Sequence, residues 1–277
     1  MSDNFRTYRA DSFTSMRWDS IFLDIFQGLK LWRIWTALSW QEFRSTYRRS
    51  LFGIMWVMVS FACFVFIKLV IFSELVPSSD PKFYNAYLTI GFYLWFYLLV
   101  VVNSSPLTFV RASGWIRSEP LPFSLYVFKN IMRELYNFGL TSFVVIAALI
   151  YIDFTPSIYS FYALPAVAFY ILNAVWMKFV FGILGAKFRD VGHLFGAITL
   201  PMMFLTPIFW LPEQMGELMK YLWWNPFFHY LEIFRSPITS GEFPTSSWIY
   251  VLTLFAVGWV IGMVLHARLS RRIVFWL

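Results

Sequence analysis

Apolar residues are gathered into six long runs along the 277-residue chain, near 51–73, 84–108, 134–152, 158–184, 193–211 and 247–267. A helix rises about 1.5 Å per residue, so about 20 apolar residues cross the hydrocarbon core of a bilayer. The runs lack the strict two-residue alternation that a transmembrane strand needs to face lipid on one side and a lumen on the other. Lipid leaves only helices and closed barrels with their backbone polar groups satisfied. The pattern therefore predicts an all-α polytopic membrane protein with six transmembrane helices.

Two further segments carry apolar residues without being able to span. Over 19–36, Phe22, Ile25, Phe26, Leu29 and Trp32 recur at helical spacing, while Asp24, Gln27, Lys30 and Arg33 fall largely elsewhere around the helix. Such an amphipathic N-terminal helix lies in the membrane interface, or packs its apolar stripe on a soluble partner. The segment 211–246 is too polar to span but holds Leu211, Pro212, Trp223, Trp224, Asn225, Pro226, Phe227 and Phe228. Aromatic and proline enrichment at this place fits re-entrant helices dipping into the outer interface between spans five and six. The chain divides into an N-terminal part, 1–50, with the interface helix, and a six-span domain, 51–277, that includes the outer segment 211–246.

Composition sharpens this picture. Of the residues 59% are hydrophobic and 13% charged, against about 25% charged in a soluble domain. The net charge of +7 belongs to basic clusters flanking apolar runs, which argues against a nucleic-acid partner. With the N-terminus inside, 17 of the 22 Lys and Arg fall on the inner side, three (Lys82, Lys220 and Arg235) on the outer, and Lys68 and Lys178 within spans. That asymmetry predicts both termini in the cytoplasm, which an even span count satisfies. The first twenty residues, polar and mixed in charge, do not resemble a cleavable signal peptide.

Candidate chemistry is sparse. Cys63 is the single cysteine, His193, His229 and His266 are far apart, and no metal-ligand spacing occurs. No carboxylate pair or Ser/His/Asp set points to acid–base or nucleophilic catalysis. No phosphate-binding loop is present; the nearest approach, Gly182 to Lys187, lacks the second glycine. The chain is expected to be neither an enzyme nor the holder of a cofactor. Lys68 falls toward the outer end of its span, within snorkelling reach of the interface. Lys178 lies deeper, and either snorkels or faces a polar path. The aromatic content of 22% serves lipid-facing belts, and some of it can line a sugar path, for which Phe61, Phe64, Phe204, Phe209 and Trp210 are the candidates. The glycine pairs Gly192/Gly196 and Gly258/Gly262 allow close helix approach, within one chain or between two. Two inner loops stand out: Arg117, Ser118, Glu119, Pro120, Leu121, Pro122 and Phe123, leading into a short helix at 122–130, and Lys187, Phe188, Arg189 and Asp190.

These residues carry a resemblance. Tyr47, Arg48, Arg49, Ser50, Leu51, Phe52, Gly53, Ile54, Met55 and Trp56 resemble the segment opening the first span of polysaccharide-export ABC transporter permeases, with a departure at Phe52. Phe188, Arg189, Asp190 and Val191 are similar to the family's second cytoplasmic loop. Thr206, Pro207, Ile208, Phe209 and Trp210, then Asn225 and Pro226, then Arg235, Ser236 and Pro237, resemble its outer re-entrant region. The resemblance covers about 20–270, leaving an N-terminal extension of some twenty residues. It implies a homodimer served by two copies of a separate ATPase subunit, where ATP and Mg would be held. Arg117, Glu119, Pro120, Leu121, Pro122, Phe123, Arg189 and Asp190 would make the ATPase contacts. The interface helix would lie at the substrate's access face, and 211–246 would gate the exit. The cargo would be polysaccharide on an undecaprenyl diphosphate carrier, O-antigen first, with capsule, teichoic acid or an ATP-independent lipid-linked glycan flippase as alternatives.

Overall fold

In a computed structural model, residues 20–75 and 80–277 are described. The N-terminal extension, with Arg6, Arg9 and Arg17, lies outside them. Among the described residues the chain is helical, with no strand. Helices α1 (Ser20–Lys30) and α2 (Trp32–Thr46) are separated by a break at Leu31. They are followed by α3 (Trp56–Leu75), α4 (Pro81–Ser104), α5 (Thr108–Arg111), α6 (Ser113–Ser118) and α7 (Phe123–Tyr151). Then come α8 (Ala163–Lys187), α9 (Asp190–Leu205), α10 (Met219–Leu222), α11 (Pro226–Thr239) and α12 (Thr245–Trp276).

Among the described residues, five helical runs are long and apolar enough to cross a membrane: Gly53–Phe72, Pro81–Ser118, Phe123–Tyr151, Ile158–Lys187 and Thr245–Trp276. The expected fifth span, 193–211, overlaps α9, whose 16 residues make only about 24 Å. Helix α9 stops at Thr206, where the backbone turns extended one residue before Pro207. The separate short helix expected at 122–130 does not exist as such, because α7 runs unbroken for 29 residues. No Gly or Pro interrupts the helix between 129 and 134, and Lys129, Arg133 and Glu134 find partners on α2, α4 and α8.

The middle of the protomer is α4. Asp80 caps it by accepting from the Phe83 N–H at 3.0 Å, with Pro81 in the first turn. Nearly every side chain from Tyr84 to Leu98 is buried, because α3, α7, α9 and α11 surround it. Helices α8 and α12 pack so closely that a Cβ on Gly258 would lie 2.4 Å from the Trp176 indole, and Gly262 faces Val180 and Ile21. That glycine pair thus serves packing within the chain. Gly192 lies near Leu107, and Gly196 has nothing within 4 Å.

The connectors collect at two ends. At one, Lys82 pairs with Asp153 at 2.5 Å, Gly241 lies against Ser157 and Tyr159, and the Tyr84 hydroxyl donates to the Phe209 carbonyl. At the other, α1 touches the start of α7, a Cβ on Gly185 would be 2.1 Å from the Pro106 carbonyl, and Lys187 lies over Trp276.

Candidate functional site

The basic end carries the two expected docking loops. After α6 the chain leaves helical geometry at Glu119, and Arg117, Ser118, Glu119 and Pro120 are all exposed. Two bonds shape the turn: the Glu119 N–H to the Trp115 carbonyl and the Leu121 N–H to the Glu119 carbonyl, both 2.9 Å. Pro122 is buried, and the Phe123 ring meets Phe109 edge-on at 5.4 Å. The exposed Arg189 and Asp190 open α9. They stand at the same end because Gly185 and Gly192 hold their segment against Pro106 and Leu107. Asp190 in the first turn suits the positive end of the α9 dipole.

Beside the turn, α1 and α2 run along the first half of α7. Asp24 accepts from the Phe123 N–H at 2.8 Å and the Ser124 N–H at 2.7 Å. Glu42 on α2 pairs with Lys129 at 2.6 Å and Arg133 at 2.7 Å. Burial pushes the Asp24 carboxyl up to about 6, against its hydrogen bonds. Burial also works to raise Glu42, but its two cations outweigh it and hold that carboxyl below the ordinary range. Phe22, Phe26, Leu29 and Trp32 are left exposed along α1 and the start of α2, an apolar stripe of the kind an interface helix presents.

The first-span motif joins α2 to α3 as a turn. Arg49 and Gly53 both have left-handed backbone, φ +66° and +52°, and Gly53 has no neighbour where a Cβ would stand. Its need for glycine is conformational. Arg48 and Ser50 lie in the same turn, and Trp56 begins α3 beneath an edge-on Phe52.

The opposite end is built around a broken helix. Past α9 the chain is irregular from Thr206 to Leu211, yet Thr206, Pro207 and Ile208 are buried. Backbone of this kind persists at depth only if protein groups satisfy it. The Pro207 carbonyl accepts from the Tyr87 hydroxyl at 3.0 Å and from Arg235 Nη1 at 2.6 Å. Asn225 both caps α11, accepting from the Phe227 N–H at 3.0 Å, and donates to the Leu205 carbonyl and the Thr206 hydroxyl at 3.2 and 2.9 Å. Arg235 is fully buried, stacks 3.6 Å over the Tyr87 ring and pairs with Glu232. Gly91 leaves the room: a Cβ there would meet the Ile208 carbonyl and Arg235 Nη1 at 3.2 and 3.3 Å. The three separate motifs are therefore one tertiary unit. Arg235, expected as an outer-loop cation, is instead an interior strut.

The aromatic candidates divide. Phe61 packs against Tyr93 and Phe96, and Phe64 against Phe92 and Phe96, in the seam between α3 and α4. Phe204 is exposed and meets Phe209 edge-on, Phe209 also contacts Phe72, and the Trp210 indole N–H donates to the Phe204 carbonyl at 3.2 Å. Lys68 sits over the rings of Phe64, Phe72 and Phe92 at 5.1–5.6 Å.

Lys178 stands apart from all of these. It neither snorkels nor faces a path in this fold: it is fully buried, 2.7 Å from Glu134 and 2.9 Å from the Ser104 hydroxyl, which donates to Glu134 at 2.6 Å. Helices α4, α7 and α8 meet around the pair. Sequence reasoning passed over Glu134, Asp24, Glu42, Tyr87 and Arg235 as site residues. For two of them a signal existed: Glu134 is a charge at the edge of an apolar run, and Glu232 and Arg235 stand three apart on a helix of aromatics.

A multi-pass helical bundle with a basic, turn-bearing end and a broken-helix unit at the opposite end has the build of a membrane transport subunit. Residues 33–239 match the model of the ABC-2 type transporter family, and the chain belongs to that family. Two curated relatives, both O-antigen export system permease protein RfbA from Klebsiella pneumoniae, are each 23% identical over 239 residues, covering 84% of this chain and 90% of the relative.

Proposed function

We propose that this chain is the permease subunit of an exporter that moves undecaprenyl-diphosphate-linked polysaccharide, O-antigen in the first instance, across the bacterial inner membrane. The likeness to O-antigen export permeases along nearly their whole length carries the reading. Two copies would form the channel, and two copies of a separate ATPase would dock on Arg117–Phe123 and Arg189–Asp190. The charge asymmetry supports placing that end, and both termini, in the cytoplasm. In the six-span arrangement α9 is the short fifth span, prolonged by the 206–211 segment, and α10 and α11 are the outer re-entrant elements.

Physical reasons support the division of labour. Bringing a hydroxyl-rich polymer through hydrocarbon unpaired is costly, and a channel removes that cost. One protomer of this size has its interior filled by its own side chains, so a channel belongs between two copies. With energy supplied by a partner, the permease needs only two packings that the partner biases. The path would include Phe204, Phe209 and Trp210, with Phe61 and Phe64 reached if α3 and α4 part.

The test is export in cells lacking the endogenous permease, with co-purification of the ATPase. The expected result is surface O-antigen restored by the wild type and lost in the pair Glu119→Lys, Arg189→Glu. Export unaffected by that pair, with no ATPase bound, would overturn the proposal; a different surface glycan would redirect its substrate to capsule or teichoic acid.

A further inference from the structure

Helix α7 starts without a cap of its own. Its N-cap residue is Pro122, which has no side-chain acceptor. The first N–H groups of a helix have no intrahelical partners and sit at the positive end of its dipole. Here both oxygens of the Asp24 carboxylate take two of them, from a residue 99 positions earlier, and the Ser124 hydroxyl donates back to the Asp24 carbonyl at 2.5 Å. One turn further along α1, the backbones meet: a Cβ on Gly28 would lie 2.1 Å from Ser124 Oγ. The capped residues immediately follow the exposed turn Arg117–Pro120.

Among the described residues α1 makes no other hydrogen bond or ion pair to that turn. Its packing on α12 is apolar, through the Phe22 stack on Trp259 and Ile21 beside Gly262. The second polar tie to α7, through Glu42, belongs to α2 and acts two turns further on. We infer that Asp24 is a positioning residue that fastens the interfacial helix α1 to the docking turn, so that a displacement of the turn by the motor is delivered to α1 at the membrane surface. The inference rests on the exporter reading. An apolar contact could slide, whereas a carboxylate bridging two backbone N–H groups moves with the helix it caps.

The test uses the full permease bound to its co-purifying ATPase in liposomes, comparing wild type with Asp24→Asn. Two quantities are read: glycan exported per ATP hydrolysed, and the nucleotide-dependent distance change of a spin label at Phe26→Cys in a Cys63→Ser background. The expected result is intact assembly and basal hydrolysis, export per ATP lower by about tenfold, the weight of one charge-assisted hydrogen bond, and a label that no longer responds to nucleotide. Wild-type export per ATP, or an unchanged label response, would overturn the inference. Should Asp24→Asn not assemble, Ser124→Ala, which removes only the hydroxyl bond, is judged by the same two readings. Absence of glycan export by the wild-type complex would overturn the functional reading instead, and the label would still decide whether α1 follows the turn.

Discussion

Replacing Lys178 by methionine should damage the fold far more than a change of similar shape at the surface. Lys178 is fully buried, and its ammonium bonds both Glu134 and Ser104. Removing it leaves Glu134 with one donor, the Ser104 hydroxyl, while Glu134 Oε2 already has none among the described residues. Stripping one partner from a buried ion pair costs about 3–5 kcal/mol, because the survivor is neither solvated nor paired. At a few degrees per kcal/mol for a chain of this size, the unfolding midpoint should fall by roughly 10 °C. The double variant Lys178→Met, Glu134→Gln removes both charges and should regain most of that loss, giving a coupling energy of about 2 kcal/mol or more. The assay is thermal unfolding of the four proteins of the cycle in one detergent, with export per ATP measured on those that fold. A single variant within about 1 kcal/mol of wild type, or a double variant no better than the single, would refute the reasoning. Normal stability with export lost would return Lys178 to a substrate path.

Arg235→Met should destabilise the broken-helix unit by about 2–3 kcal/mol, since it removes one of the two donors to the buried Pro207 carbonyl and leaves Glu232 without its cation; limited proteolysis at 206–224 is the direct reading, and Arg235→Lys should recover only part. Gly185→Ala should cost more than about 2 kcal/mol, because its Cβ meets backbone, whereas Gly196→Ala, with open space at that position, should be neutral or stabilising by up to about 1 kcal/mol; paired melting curves compare them. The Asp24 carboxyl titrates near 6 in the fold against an ordinary value of 3.8, so the folded form binds a proton more tightly than the unfolded one. Its contribution is fullest below the ordinary value and is lost as pH rises through about 6. The melting temperature of wild type relative to Asp24→Asn should therefore rise as pH is lowered from 7.5 to 5, and a flat difference would contradict that shift.

Lipid was legible in the sequence as the solvent of this chain because apolar run length answers directly to bilayer thickness. The proline and aromatic enrichment of 211–246 was legible as a segment that does not span, whereas the expected span 193–211 ran past the end of α9 at Leu205. What could not be read was where each polar group goes. Lys129, Arg133 and Glu134 looked like the polar preface to a span, but charge does not end a helix when neighbours take it up. Glu42 and Lys178 do so from 87 to 91 residues before and 44 residues after their partners. Asp24 read as the polar face of an amphipathic helix, and nothing in its local pattern distinguishes a solvated carboxylate from a cap on another helix.

Arg235 shows why a count of loop charges and an account of tertiary structure have to be combined. Counted by position, it weakens the basic asymmetry between the ends. Placed in the fold, it ceases to be a loop charge: it is buried against Tyr87, Glu232 and the Pro207 carbonyl. The connectors at the end that holds the broken helix then keep Lys82, bound to Asp153, and Lys220, near Glu217 at 3.8 Å. The opposite end keeps exposed Arg117, Lys187 and Arg189 beside its two turns. The residue that most obscured the asymmetry is thus the one that holds the broken helix in shape, and removing it from the tally makes the difference between the two ends larger.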